Sequence, residues 1–150
     1  MAGMVSWYAR YEERVVICAL HGRADPSDEE WAIYLGRCEA AIAEDPKLEH
    51  TVGLAVTDGG APSSAQRAGL LKFGLHRPRT AVVSNNLVVR GAATALSWFN
   101  YDIGVFSPRR FADALAHLRV PSSAGSKLIY DIRANARPLG KSTTIEALTL

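Results

Sequence analysis

No apolar run in this sequence approaches the roughly 20 residues needed to span a bilayer, so no transmembrane helix is expected. Residues 1–7, Met1-Ala2-Gly3-Met4-Val5-Ser6-Trp7, lack a basic stretch followed by an apolar one. No secretory leader is therefore predicted, and a cytoplasmic location is expected. Cysteine is scarce: Cys18 falls in a strand pattern and Cys38 in a helix pattern. Both read as buried thiols in a reducing compartment, not as a disulfide or metal pair. His21, His50, His76 and His117 are far apart and lack metal-ligand spacing, so neither a metal nor a cofactor is expected. No serine sits in a Gly-x-Ser-x-Gly elbow, and no glycine-rich loop ends in Gly-Lys-Ser/Thr. Arginine is not interleaved with aromatics in a nucleic-acid motif. These absences argue against a triad hydrolase, a phosphate-loop enzyme and a nucleic-acid binder, and the chain is expected not to be an enzyme.

What is present suits a single globular domain. The chain has 150 residues, enough for a sizeable core, with 48% hydrophobic and 21% charged residues. The net charge of +2 hides an asymmetry. Residues 1–60 carry 5 Lys/Arg against 11 Asp/Glu, whereas residues 61–150 carry 12 against 4. Such a split can steer an anionic partner or favour head-to-tail self-association; a solvated basic surface is the plainer reading.

The order of elements follows from local patterns. Val5–Tyr11 and Val15–Leu20 are β-prone runs around Glu12-Glu13-Arg14, as in a hairpin. Ser27 with Glu30 forms a capping-box pattern. Trp31, Tyr34, Leu35, Cys38, Ala41 and Ile42 then mark the apolar stripe of a helix ended by Asp45-Pro46. Thr51–Thr57 is the third strand, and Asp58-Gly59-Gly60 is its turn. Ser63 with Gln66 starts a second helix, with Ala68, Leu70 and Leu71 on its apolar side and Gly74 at its end. Arg79–Ser84 is a strand, and Asn85 or Asn86 caps a small-residue helix to about Phe99. Ile103–Phe106 is the last strand, and Ser107-Pro108 opens a helix with Phe111, Leu115 and Leu118 inward.

The predicted order is β-β-α-β-α-β-α-β-α: an α/β domain over residues 1–119, with a mixed, largely parallel sheet packed with helices. Residues 120–150 read as a C-terminal extension. Pro121–Ser126 has the composition of a linker, and Lys127–Ala136 reads as a short helix with Leu128, Ile129 and Ile132 as its apolar edge. That edge is expected to dock on the domain or on a second copy.

The strand–turn–helix at residues 54–73 is the one stretch that suggests a site. Asp58, Gly59, Gly60 and Arg67 are candidates for an anion- or partner-binding loop, and a tight turn is the plainer reading. Ser63 and Ser64 are phosphoacceptor candidates, and simple helix capping is the plainer reading. The aromatic cluster Trp98-Phe99-Asn100-Tyr101 reads as core or as a partner-binding edge. Arg77, Arg79, Arg109 and Arg110 read as a solvated basic face.

The element order, with Ser63-Ser64 opening the helix after the third strand, resembles the STAS domain superfamily, which includes bacterial anti-sigma-factor antagonists. The resemblance covers roughly residues 4–118. In signalling members an Asp-Ser-Ser/Thr-Gly motif opens this helix, and a partner kinase phosphorylates its first hydroxyl. Here the four positions read Pro62-Ser63-Ser64-Ala65. The resemblance implies a non-enzymatic protein-interaction module in bacterial signalling, with a kinase or regulator as partner and Ser63 as the point of control. A small-ligand or lipid-binding module of the same architecture is the alternative.

Overall fold

Strand β1 (Met4–Tyr11) and strand β2 (Arg14–His21) pair antiparallel through a tight turn in which Glu12 takes φ 56°. Strand β3 (Thr51–Thr57), strand β4 (Thr80–Val83) and strand β5 (Ile103–Phe106) follow in parallel, giving the order β1-β2-β3-β4-β5. The computed structural model describes residues 1–74, 78–97 and 102–150. The aromatic cluster 98–101 and Arg77 lie outside the described residues. Between the strands run helix α1 (Asp28–Glu44), helix α2 (Ser64–Lys72) and helix α3 (Leu87–Ser97). Helix α4 (Phe111–Leu118) follows β5 after a single 3-10 turn at Pro108–Arg110. The observed order is the one predicted.

Period-two alternation decides what each face of the sheet holds. Val16, Cys18, Leu20, Leu54, Val56 and Val83 all belong to one buried cluster with Phe111, Leu115 and Leu118 of α4. The opposite face pairs Val15 and Ile17 with Cys38 and Ala41 of α1, and Met4 and Ala19 with Trp31. Fully burying a side chain of this size contributes roughly 1.5–3 kcal/mol, so the first face dominates the core. Both cysteines are free and buried.

The caps are built as their residues demand. Ser27 Oγ accepts from Glu30 N at 3.1 Å while Glu30 Oε1 accepts from Ser27 N at 3.0 Å. At α3, Asn86 is the cap, its Oδ1 accepting from Val88 N and Val89 N. Ser107, by contrast, makes no side-chain cap bond. Arg79 lies 3.6 Å from Asp102 and Arg110 2.7 Å from Asp113, so two of the four arginines on the predicted basic face have acidic neighbours.

Pro121–Ser126, composed like a linker, forms a 3-10 turn at Ser122–Ala124 and the first residues of helix α5 (Gly125–Asn135). Ala124 and Gly125 are buried against the domain, which leaves no room for a mobile spacer. Leu128, Ile129 and Ile132 join the main core, as do Leu139, Ile145 and Leu148 beyond them. Tyr11 Oη donates to Asp131 Oδ2 at 2.6 Å, joining β1 to α5. Helix α6 (Thr143–Glu146) places Thr144 N 3.0 Å from Asp58 Oδ1, which joins the last turn of chain to the loop after β3.

Candidate functional site

The loop after β3 is held almost entirely by its own chain. Asp58 N donates to His21 O, Gly60 N to Gly22 O, Gly59 N to Thr57 Oγ1 and Ala61 N to Asp25 Oδ1. The Asp58 carboxylate accepts from Thr144 N, so its polarity is used in tying down the tail. Gly59 takes φ +148°, a conformation L side chains rarely adopt. Gly60 passes so close to the Ala24 carbonyl that a Cβ there would overlap it. Ser63 caps α2: its Oγ accepts from Gln66 N at 3.1 Å, and Gln66 Oε1 accepts from Ser63 N at 2.9 Å. Ser63 and Ser64 are both exposed. Arg67 turns back on the same loop, donating to Pro62 O at 2.9 Å and Ser64 Oγ at 3.0 Å. The structure thus gathers Ser63, Ser64 and Arg67 at one helix start, and sends Asp58 toward α6.

Helix α2 departs from the sequence expectation in one respect. It has no buried residue: Ala68 and Leu71 are exposed, and only Leu70 of the predicted apolar side packs inward. The reason lies in the sheet beneath. In β3 the bulky residues Val52, Leu54 and Val56 all point to the main core. Gly53 and Ala55 alternate with them and face α2, and Ala19 stands beside Ala55 in the register. A floor of such small side chains cannot reach a helix seated above it.

The result is an apolar cavity of about 380 Å³. Ile17, Ala19, Gly53, Ala55 and Val82 form its floor. Trp31 and Tyr34 of α1, Leu70 of α2, and Val89, Ala92 and Ala93 of α3 close the sides and roof. The Trp31 and Tyr34 rings lie 4.9 Å apart, and Trp31 Nε1 donates to Gln66 O at 2.8 Å, which fixes α1 against α2. Val82, at the centre of the sheet, is only half-buried because it looks into this space.

Burial keeps Tyr34, Cys38 and His21 uncharged. It pushes the Tyr34 hydroxyl well above the usual tyrosine range, and the Cys38 thiol up to about 12. It lowers His21 to about 4, against smaller opposing influences from the Glu30 and Asp25 carboxylates. His21 is 4% exposed, lines the cavity, and leaves Nδ1 with no hydrogen-bond partner among the described residues. In sequence His21 was only one of four scattered histidines. The cavity was not expected from the sequence; the small–large alternation Val52-Gly53-Leu54-Ala55-Val56 is the signal that could have found it.

His21 gives stability a definite pH dependence. Between pH 6.5 and 4 the unfolded chain holds a proton on this ring that the folded chain does not. Stability from this group is therefore full above pH 6.5 and falls as pH drops toward 4, by roughly 3 kcal/mol over the window. Urea unfolding at pH 7 and pH 4.5 is expected to show His21→Phe losing less stability than wild type. Parallel losses in both proteins would contradict the neutral, buried ring.

No protein-family model matches the sequence, and no curated protein matches it. Among solved structures, the chain is similar to an uncharacterized protein of the DUF3478 family with a SpoIIAA-like fold, from Shewanella loihica PV-4. The TM-score is 0.58 at 22% identity, covering 79% of this chain and 95% of that one. The fold is SpoIIAA-like. That assignment agrees with the predicted STAS resemblance, and at this identity it concerns the fold alone. A SpoIIAA-like frame places the loop after β3 and the start of α2 at the carboxyl end of a parallel strand, where open α/β sheets hold ligands. Among the described residues no group of His, Cys, Asp and Glu has metal-site geometry, and no helix is long and apolar enough to cross a membrane.

Proposed function

We propose that this STAS-type chain is a non-enzymatic module that binds a small, largely apolar molecule between its sheet and α2. The cavity of about 380 Å³ carries this reading. Ligand sites typically measure about 300–1,000 Å³ and combine apolar walls with a few polar groups. Well-packed interiors hold few voids larger than a water molecule, so a space of this size needs an explanation. The experiment is to fill it. Ala55→Leu places a larger side chain on the floor. Wild type is expected to brighten the uncharged probe N-phenyl-1-naphthylamine, and Ala55→Leu to lose that response while keeping its far-ultraviolet dichroism. A response that survives in a folded Ala55→Leu protein would sink the proposal.

A second reading is favoured by the exposure of Ser63 and Ser64 at the first turn of α2. Phosphate on Ser63 would gain from the N-terminal dipole of the helix and would add nearly two negative charges to a recognition surface for a kinase or regulator. As a cap alone, Ser63→Ala should cost about 0.5–2 kcal/mol, whereas Ser63→Asp should keep the cap. Under phosphoregulation, mass spectrometry of the native protein finds phosphate at Ser63 or Ser64, and Ser63→Asp changes a partner's affinity. Unmodified serines and equal binding by both forms reduce Ser63 to a cap.

A further inference from the structure

Resting on the cavity reading, we propose that the ligand is an uncharged amphiphile: an apolar body with one hydroxyl or carbonyl group that hydrogen-bonds His21 Nδ1. The argument begins with the lining. It extends from His21 and Thr57, paired at the carboxyl ends of β2 and β3, to Thr80 and Ile103, paired near the other end of the sheet. Between these ends the floor is aliphatic. An occupant must therefore be apolar along most of its length.

Its polar group is fixed by what the lining leaves unsatisfied. Thr57 Oγ1 is already committed, donating to Gly60 O at 2.7 Å and accepting from Gly59 N. The Trp31 indole N–H is spent on Gln66 O. His21 Nδ1 is buried and has no partner among the described residues. Leaving such an atom unpaired costs about 1–3 kcal/mol, which a ligand hydroxyl or carbonyl at that point recovers. The neutral imidazole serves either group, because each ring nitrogen is a donor in one tautomer and an acceptor in the other.

Three observations favour a neutral group over a carboxylate. A desolvated anion needs a paired cation. The nearby carboxylates, Asp25 and Glu30, act electrostatically on the ring and would repel a third. Arg67, the cation at this end of the lining, already donates to Pro62 O and Ser64 Oγ. The low pKa of His21 points the same way: the ring stays uncharged at neutral pH and supplies no positive charge.

The test uses the full chain at pH 7, with displacement of N-phenyl-1-naphthylamine as the readout. 1-Decanol and 2-decanone are expected to displace the probe at least tenfold more tightly than decanoate. His21→Phe is expected to weaken both neutral ligands by about 2- to 12-fold, the worth of one neutral hydrogen bond, and to leave the probe itself bound. Independently of any variant, the ¹⁵N resonance of His21 Nδ1 should move on adding 1-decanol to wild type. Decanoate binding as tightly as 1-decanol overturns the proposal. So does an unmoved Nδ1 resonance with 1-decanol bound, or a folded His21→Phe protein that binds the neutral ligands unchanged. In those cases the probe still binds and the cavity reading stands. Failure of wild type to bind the probe overturns both.

Discussion

A chain ending at Arg119 is expected to lose cooperative folding. The sequence places a boundary there, because Pro121-Ser122-Ser123-Ala124-Gly125-Ser126 has the composition of a spacer. The packing argues the other way. Leu128 and Ile132 are fully buried, and Ile129, Leu139, Ile145 and Leu148 are nearly so, in the cluster that holds Val16, Leu20, Leu54 and Val56. Truncation would uncover the sheet face that dominates the core. Burial of each Leu or Ile side chain contributes roughly 1.5–3 kcal/mol, and a domain of this kind has only about 5–15 kcal/mol in total. Thermal unfolding of residues 1–119 should show no sharp transition. Leu128→Ala in the full chain should cost about 2–5 kcal/mol, which is measurable even if the fragment cannot be prepared. A fragment that unfolds cooperatively as a monomer would restore the boundary at 119.

Gly60→Ala is expected to be the most damaging Gly→Ala change among the described residues. The added Cβ would overlap the carbonyl of Ala24, and that atom is backbone. A flexible side chain could swing aside; the β2–α1 connection cannot, because Gly60 N is bonded to Gly22 O at 2.9 Å and Ala61 N to Asp25 Oδ1 at 3.1 Å. The two loops must separate or the variant must unfold. The cost should be roughly 3 kcal/mol, at the upper end for overpacking. Gly36, whose Cβ would meet nothing within 4 Å, is the matched control, and Gly36→Ala in α1 should stabilise by about 1 kcal/mol. Denaturant midpoints of the two variants check the comparison. Equal stability at position 60 would mean that the loops are free to part.

The elements were legible because their signals are local. Ser27/Glu30 and Ser63/Gln66 each carry a complete cap within four residues, and both caps form. The strand VVICAL is apolar at every position, and Val15–Leu20 are all buried. What escaped depends on distant partners. Pro121–Ser126 resembles a spacer until its Ala124 and Gly125 are seen to be buried. Leu71 looks like a core residue of α2 until Gly53 and Ala55 leave that helix without a surface to pack on. The role of Ser63 depends on a partner, so its cap geometry is legible in the sequence and its use is not. His21 has no motif around it; its environment comes from α1, α2 and the neighbouring strand together.

The attachments of α2 are unevenly distributed along its length. Gln66 holds the first turn, donating through Nε2 to Pro26 O and Asp28 Oδ1 while its carbonyl accepts from Trp31. Toward the other end Leu71 is 49% exposed. Segments held by few buried contacts open at a small fraction of the global unfolding energy. Among the described residues the first turn of α2 carries most of these side-chain bonds, and on the ligand-binding reading proposed above the opening of this helix would set how long a molecule stays in the cavity. Amide exchange along α2 should become faster from Arg67 to Lys72, and an occupant should slow it most toward Lys72.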